Sequence, residues 1–564
     1  MKFSRGVAAC AVLGGLVWFG GAAQAAPNDP KNLSAMEAAR AAANGDPLLD
    51  ALLTELERSK AQLKMNQVAP PYYIEYRVTD LDDLLLEAAF GAMRENRRAR
   101  FRVLRVVVRV GDYKQDSYFG SGMGQTTILP LDNDPIALRR QIWLATDDAY
   151  KAAGESLTQK QALLQQFSTD EQAVDDFAKA PVTRSVEATA TLKITDEPWI
   201  KTLQEMTNLY REYPDVQALS ASARFTATNE YFVNSEGTVS RSGSAVYTVL
   251  LNAQTQAPDG MRLERSPGWT VATASELPTR EKLLADTKDA LRTLYALRKA
   301  PIVEEEYRGP VLFAPDAADD VVAALLGQNV LGRKPQLGAP NRTTGAFATS
   351  YKSRVLPTFL SLVDDPTMKN FQGKSLVGSY DVDSEGVKAQ PVDIVDKGML
   401  THYLIGRQPI RDFPESNGHG RAGPAAPPGP NLGVLRLESS AAQTPEALKK
   451  KVIEMVSNQG QPYAYRVETL GGLTPRLLYR VYAKDGHEEL VRGAVFNELD
   501  LRAMRSDLSA VGNDPLVSNR NYGVPTTIIA PSLLFDELEV KRADTSKDKL
   551  PEYPAPPLGK TEPE

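Results

Sequence analysis

Apolar and polar residues follow two periods along this chain, and the period changes at recognisable punctuation. Leu48, Leu49, Leu52, Leu53 and Leu56 recur at helical spacing behind Asp46-Pro47, which supplies an N-cap and a first-turn proline. Ser34 is placed to cap a shorter helix ahead of it. Residues 72–78 and 98–110 alternate with period two and predict strands. Residues 136–169 return to the helical period and predict two or three helices. Another is predicted at 197–213, with Trp199, Leu203, Met206 and Leu209 on or near a common face. Residues 218–254 read as strands, with a hairpin turn at Asn234-Ser235-Glu236-Gly237. A charged amphipathic helix at 278–300 closes the first half.

The second half is strand-rich. A short strand at 311–313 leads into a helix that Asp316 can cap, with Asp319 in its first turn and Val321, Val322, Leu325 and Leu326 as its buried face. Asp383-Ser384-Glu385-Gly386 forms an acidic turn. Val392 and Ile394 then alternate with polar neighbours, Asp396-Lys397-Gly398 turns the chain, and 399–405 reads as the returning strand. This hairpin has an edge suited to an extended peptide. Residues 423–433 are a Pro/Gly loop. Thr444-Pro445 opens a helix that stops at Asn458-Gln459-Gly460. Strands are predicted at 463–470, 477–483, 489–495 and 526–540, and a helix at 497–508.

The fold class is therefore α+β: an N-terminal α/β domain with an antiparallel sheet, then a C-terminal β-rich domain of mainly antiparallel strands with covering helices. The expected boundaries are 26–300 and 301–543, with a disordered tail at 544–564.

Length and charge sharpen this outline. At 564 residues the chain is too long for one ordinary core. Lys2 and Arg5 precede an uncharged run from Gly6 to Gly20, and Ala23-Gln24-Ala25 is a small-residue cleavage site. Residues 1–25 thus predict a secretory signal peptide and a periplasmic or secreted protein, with a retained membrane anchor as the other reading. Cys10, the only cysteine, leaves with the signal. Loss of Lys2 and Arg5, two positive charges, moves the formal net charge from −6 to −8. So acidic a chain argues against a nucleic-acid partner. No other apolar run is long enough to span a bilayer once the signal is removed. The arginines of 98–110 admit an anion or RNA site, but Asp80, Asp82, Asp83 and Glu87 balance them, and a wet sheet face is the expectation.

The turn Asp383-x-Glu385-Gly386-x-x-Ala389-Gln390, the strand after it, the acidic-Gly turn and the Tyr403-Leu404 strand together resemble the C-terminal half of the TldD/PmbA family. The resemblance implies a family of zinc metallopeptidases and metal-free relatives, also called modulators of DNA gyrase. Its active members carry LLHE followed shortly by a second His, an HExxxH motif, on the helix after the 311–313 strand, and a Cys near the C-terminus. Two imidazoles hold zinc and the Glu is general base to the bound water. Here Leu325-Leu326-Gly327-Gln328-Asn329-Val330-Leu331-Gly332 stands in that place. Gly327 and Gly332 occupy the His positions and Gln328 the Glu position, and residues 511–519 contain no Cys. Glycine has no side-chain donor and Gln cannot accept a proton as carboxylate does.

Other chemistry is sparse. His487-Glu488-Glu489-Leu490 lacks the second His of a zincin motif, because Val491 stands there. His402 reads as a packed or edge histidine, and no G-x-S-x-G elbow is present. By resemblance the chain is a metal-free family member that pairs with a zinc-bearing TldD-like paralogue around peptides or unfolded chains; no metal site is assigned to it. Asp383, Glu385 and Gln390, with Asn417, His419 and Arg421 opposite, are the expected peptide-binding residues. Two alternatives stay open: an active metal-dependent hydrolase with an atypical or partner-supplied site, and a stand-alone periplasmic peptide-binding or assembly factor.

Overall fold

A computed structural model describes residues 34–66, 68–166, 174–337, 339 and 341–556. The expected signal peptide lies outside them. Local signals set the first elements. The Ser34 hydroxyl accepts from the Glu37 amide while the Glu37 carboxylate accepts from the Ser34 amide at 2.8 Å, a reciprocal cap on Ala35–Ala43. Asp46 caps Pro47–Gln62 by accepting from the amides of Leu48 and Leu49 at 3.0 and 2.9 Å.

Two long hairpins follow, Tyr73–Ala89 with Ala92–Arg109 and Ala218–Asn234 with Val239–Gln256. Tyr73–Ala89 pairs antiparallel with both Ala92–Arg109 and Ala218–Asn234, so one sheet is built around it. Gln125–Leu129 and Arg184–Val186 stand at its ends. One face carries the helices: Leu52 and Leu56 pack with Ile142 and Tyr150 over Tyr76, Leu104 and Val106. At the other end of the same face, Leu203, Met206, Leu291 and Leu294 cover Leu84, Leu86 and Phe225. Where two or three helices are expected after residue 136, one helix runs from Pro135 to Leu164. Gly154 does not break it, because Val68 packs against that position and the buried stripe through Ile142, Ala149 and Ala153 is continuous.

The second half holds two further sheets of mixed direction. Tyr307–Phe313 lies between Tyr463–Gly471, parallel, and Leu533–Arg542, antiparallel. Leu360–Asp364 and Val434–Ser439 are central in the other sheet. Both contribute to one core, in which Phe313, Val322 and Leu326 meet Leu362, Ile394 and Leu437. Pro445–Asn458 begins at a Thr444 cap and covers the outer face of the first of these sheets.

Four further expectations change. The returning strand after Gly398 is only Met399–Leu400. The chain then leaves the sheet so that Leu404 can bond with Val330 and Gly332. The edge of this hairpin is not free for an added strand, because the Lys352 amide donates to Leu400 O and the Leu400 amide to Ser353 O. The helix expected at 497–508 is limited to Leu501–Ser506, capped by Asp500. Beyond Arg542, where a tail is expected, Lys549 O accepts from Gln256 at 2.9 Å; residues 557–564 lie outside the described chain. Among the described residues no helix is long and apolar enough to cross a membrane.

Candidate functional site

The strand Tyr307–Phe313 delivers the chain to Pro315–Val321, which starts at Pro315 without a side-chain cap; Asp316 lies inside the first turn instead. The last turn, Val322–Gly327, widens to π geometry, a local irregularity that often marks functional positions. Gly327 is buried, and a Cβ there would come within 3.1 Å of Leu432 Cδ1. Gln328 is exposed and accepts from Arg333 at 3.2 Å. At Gly332 a Cβ would meet Ile405 Cγ1 at 2.9 Å, Ile410 Cδ1 at 3.0 Å and Tyr403 Cβ at 3.1 Å. Across the sheet, Asp514 in the 511–519 segment accepts from the Ser532 amide and hydroxyl. These residues do not fit a zinc ion: the first two ligand positions offer no donor, and apolar side chains fill the space beside Gly332. Among the described residues no three His, Cys, Asp or Glu side chains converge as a metal site.

The six residues expected to bind peptide divide by exposure. Gln390 is exposed, Asn417 and Arg421 are half-buried, and Asp383, Glu385 and His419 are buried. The acidic turn is therefore no solvated tip. Asp383 accepts from the amides of Glu385, Val387 and Gly420 at 3.0, 2.8 and 2.8 Å. Glu385 accepts from the Arg407 amide at 2.6 Å. Burial, with the Glu385 charge beside it, pushes the Asp383 carboxyl well above the ordinary range, and burial also raises Glu385. Opposite them, Asn417 bonds Ile405 N and Tyr403 O at 2.8 Å each. His419 Nε2 lies 3.3 Å from Asp364 Oδ1 and its Nδ1 lies 3.0 Å from Asn417 O. Arg421 donates to Leu432 O and to Pro525 O and lies over the Tyr380 ring. The turn and the loop, expected as two walls of a groove, touch here: Ser384 N donates to Gly420 O at 2.9 Å.

Both rest on the sheet face opposite the helices. Gly386 lies so close to Phe232 that a Cβ there would collide with the ring. Arg407, wholly buried, donates to Ala178 O and Glu236 and sits over Phe177 at 4.0 Å. The balance of charge read on the arginine strand holds at Asp80–Arg102 and Asp82–Arg98, each 2.7 Å. The wet face does not hold throughout: Arg77 and Arg105 are buried under Ala425 and Ala426 of the second half, and Arg109 under Tyr118 and Phe177 of the first. Arg407 is not among the residues expected from the sequence at this seam. Its only sequence signal is a Gly-Arg pair at the end of the acidic-turn segment.

Comparison with known proteins agrees with this architecture. Residues 306–542 match the PmbA/TldA metallopeptidase C-terminal domain. The chain is 28% identical over 214 residues to Metalloprotease PmbA of Escherichia coli O157:H7, a stretch covering 36% of this chain and 44% of that protein. The match thus spans less than half the length of the curated relative. Two solved structures share the fold. One is a Thermotoga maritima protein described as a modulator of DNA gyrase, with TM-score 0.60, 15% identity and 86% of this chain and 99% of that chain covered. The other is TldE from Thermococcus kodakarensis, with TM-score 0.57, 13% identity and 87% and 99% covered. Residues 306–542 thus match the C-terminal domain of the TldD/PmbA family, and the fold shared with the solved structures extends over 86% and 87% of the chain.

Proposed function

We propose that this chain is an exported, non-catalytic member of its family that acts as the partner subunit of a zinc-bearing paralogue in the proteolysis of peptides or unfolded proteins. The observation that carries the reading is the residue set at 327–332. Gly327 and Gly332 have no ligand to offer, Gln328 has no basic carboxylate, and Ile405, Ile410 and Tyr403 crowd the space a ligand at 332 would need. Zinc belongs to the partner on this reading, and the signal-like pattern at 1–25 supports an exported, periplasmic site of action. Exposed Gln390 and half-buried Asn417 and Arg421 are the surface through which peptide would be met. The test is metal analysis and peptide cleavage by the purified full chain, alone and mixed with a family member whose HExxxH is intact. The expected result is cleavage only in the mixture, with zinc only in the partner. Stoichiometric zinc and cleavage by this chain alone overturn the reading.

A second reading, an active hydrolase with an atypical or partner-supplied site, is favoured by the name of the curated relative, a metalloprotease. The same experiment separates the two.

A further inference from the structure

Arg77 and Arg105 stand directly opposite each other on neighbouring strands, on the sheet face that the second half covers. Both are buried. Like charges placed directly across a strand pair repel, and a buried cation is ordinarily matched by an acid. On the same strand Arg102 has Asp80 and Arg109 has Asp116, each at 2.7 Å. Arg77 and Arg105 have main-chain carbonyls instead: Arg77 donates to Ala426 O, and Arg105 to Met123 O and, at 3.2 Å, to Ala425 O. Arg77 Nη1 and Arg105 Nε are buried with no acceptor. Two acids on this face are engaged elsewhere, Glu75 by the Tyr73 hydroxyl at 2.8 Å and Glu230 by the Ser384 hydroxyl at 3.4 Å.

What covers the pair is a strap, residues 422–430, of alanine, glycine and proline only. It has no polar side chain, so it gives the guanidiniums dipoles and no charge. Its two ends are held together by Gly420–Arg421 paired with Gly429–Pro430. Ala425 at its crown has φ 60°, a left-handed conformation that costs an alanine about 1 kcal/mol. Just past the strap, Leu432 packs against Gly327, so the strap connects the arginine pair to the vacant motif.

We infer that Arg77 and Arg105 are a binding pair for the C-terminal carboxylate of a peptide, and that the carbonyls of Ala425 and Ala426 hold its place when no peptide is bound. A carboxylate accepts from two guanidinium forks at once, and its charge removes the repulsion that carbonyls leave. The inference rests on the peptide-binding reading above and adds to it the end of the peptide that is gripped.

The test is calorimetric binding to the full chain of acetyl-pentaalanine as the free acid, the same peptide as its C-terminal amide, and an amidated peptide with one internal Asp. Inorganic phosphate is a fourth probe. The free acid is expected to bind at least tenfold more tightly than either amidated peptide, and phosphate weakly. Binding should speed amide exchange at Ala425 and Ala426. Arg77→Met and Arg105→Met should each remove the tenfold preference, and Arg77→Lys serves if the Met variants do not fold. Equal binding of acid and amide overturns the inference and leaves peptide binding intact. Binding of no peptide overturns both. Preference for the internal Asp or for phosphate overturns the terminal assignment, and the acid–amide comparison needs no variant.

Discussion

Gly332 shows how a missing side chain can be enforced by its neighbours. With Ile405 Cγ1, Ile410 Cδ1 and Tyr403 Cβ all about where a Cβ would need room, any larger residue must displace packed core atoms. Gly332→His is expected to lower stability by roughly 1–3 kcal/mol, the usual cost of overpacking, read as a fall in the urea midpoint. An unchanged midpoint would show that the segment yields easily. Lys397 is the opposite case, a residue tolerated where another fits better. Lys397 and Gly398 have φ 44° and 83°, the two positive angles of a type I′ turn joining Val392–Asp396 to Met399–Leu400. Lys397→Asn should stabilise the protein by about 0.5 kcal/mol, since asparagine enters the left-handed region at lower cost. A loss of stability in the same urea titration would contradict that.

At the scale of one element, the helix Pro315–Val321 has a buried charge on its inner side. Asp319 is paired with Arg520, yet one carboxylate oxygen, Oδ1, is buried without a partner. Burial pushes this carboxyl up to about 6, against the pull of Arg520. A carboxyl raised in the folded state contributes most below its unfolded value, and that contribution is lost as pH rises through the folded value. Wild type should therefore lose stability relative to Asp319→Asn between about pH 4 and 6. The change approaches roughly 3 kcal/mol from the size of the shift. Guanidinium unfolding of both proteins across that range measures it, and parallel pH curves would remove Asp319 as the cause. The helix itself was readable from the apolar run after the 311–313 strand, but the cap expected of Asp316 is not made, since Asp316 lies inside the first turn. The π turn at its end was not readable, because its widening depends on what packs around Val322–Gly327.

For the whole molecule, the seam between the first sheet and the loops of the second half hangs on Arg407. Its guanidinium reaches Ala178 O at 2.7 Å and Glu236 at 2.9 Å, and its backbone amide holds Glu385. Breaking a buried pair from one side costs about 3–5 kcal/mol, so Arg407→Met should lower the melting temperature by several degrees. Hydrogen exchange should rise at 176–178, 383–387 and 417–421, while Pro445–Asn458 stays protected. Uniform loss of protection would mean that Arg407 supports the entire fold instead of the seam. Neighbouring residues alone settle the caps at Ser34, Asp46 and Thr444, the turns at Asn234–Gly237 and Asp396–Gly398, the lack of a side-chain ligand at 327 and 332 and the lack of a carboxylate at 328. Only the tertiary structure decided that 399–405 leaves its sheet and that one helix spans 135–164. It alone decided that Asp383, Glu385, His419, Arg77 and Arg105 lie inside. The physical reason is range. A cap or turn is satisfied within about four residues, whereas burial of a charge is set by whatever segment comes to lie on it, as Ala426 lies on Arg77 from 349 positions away.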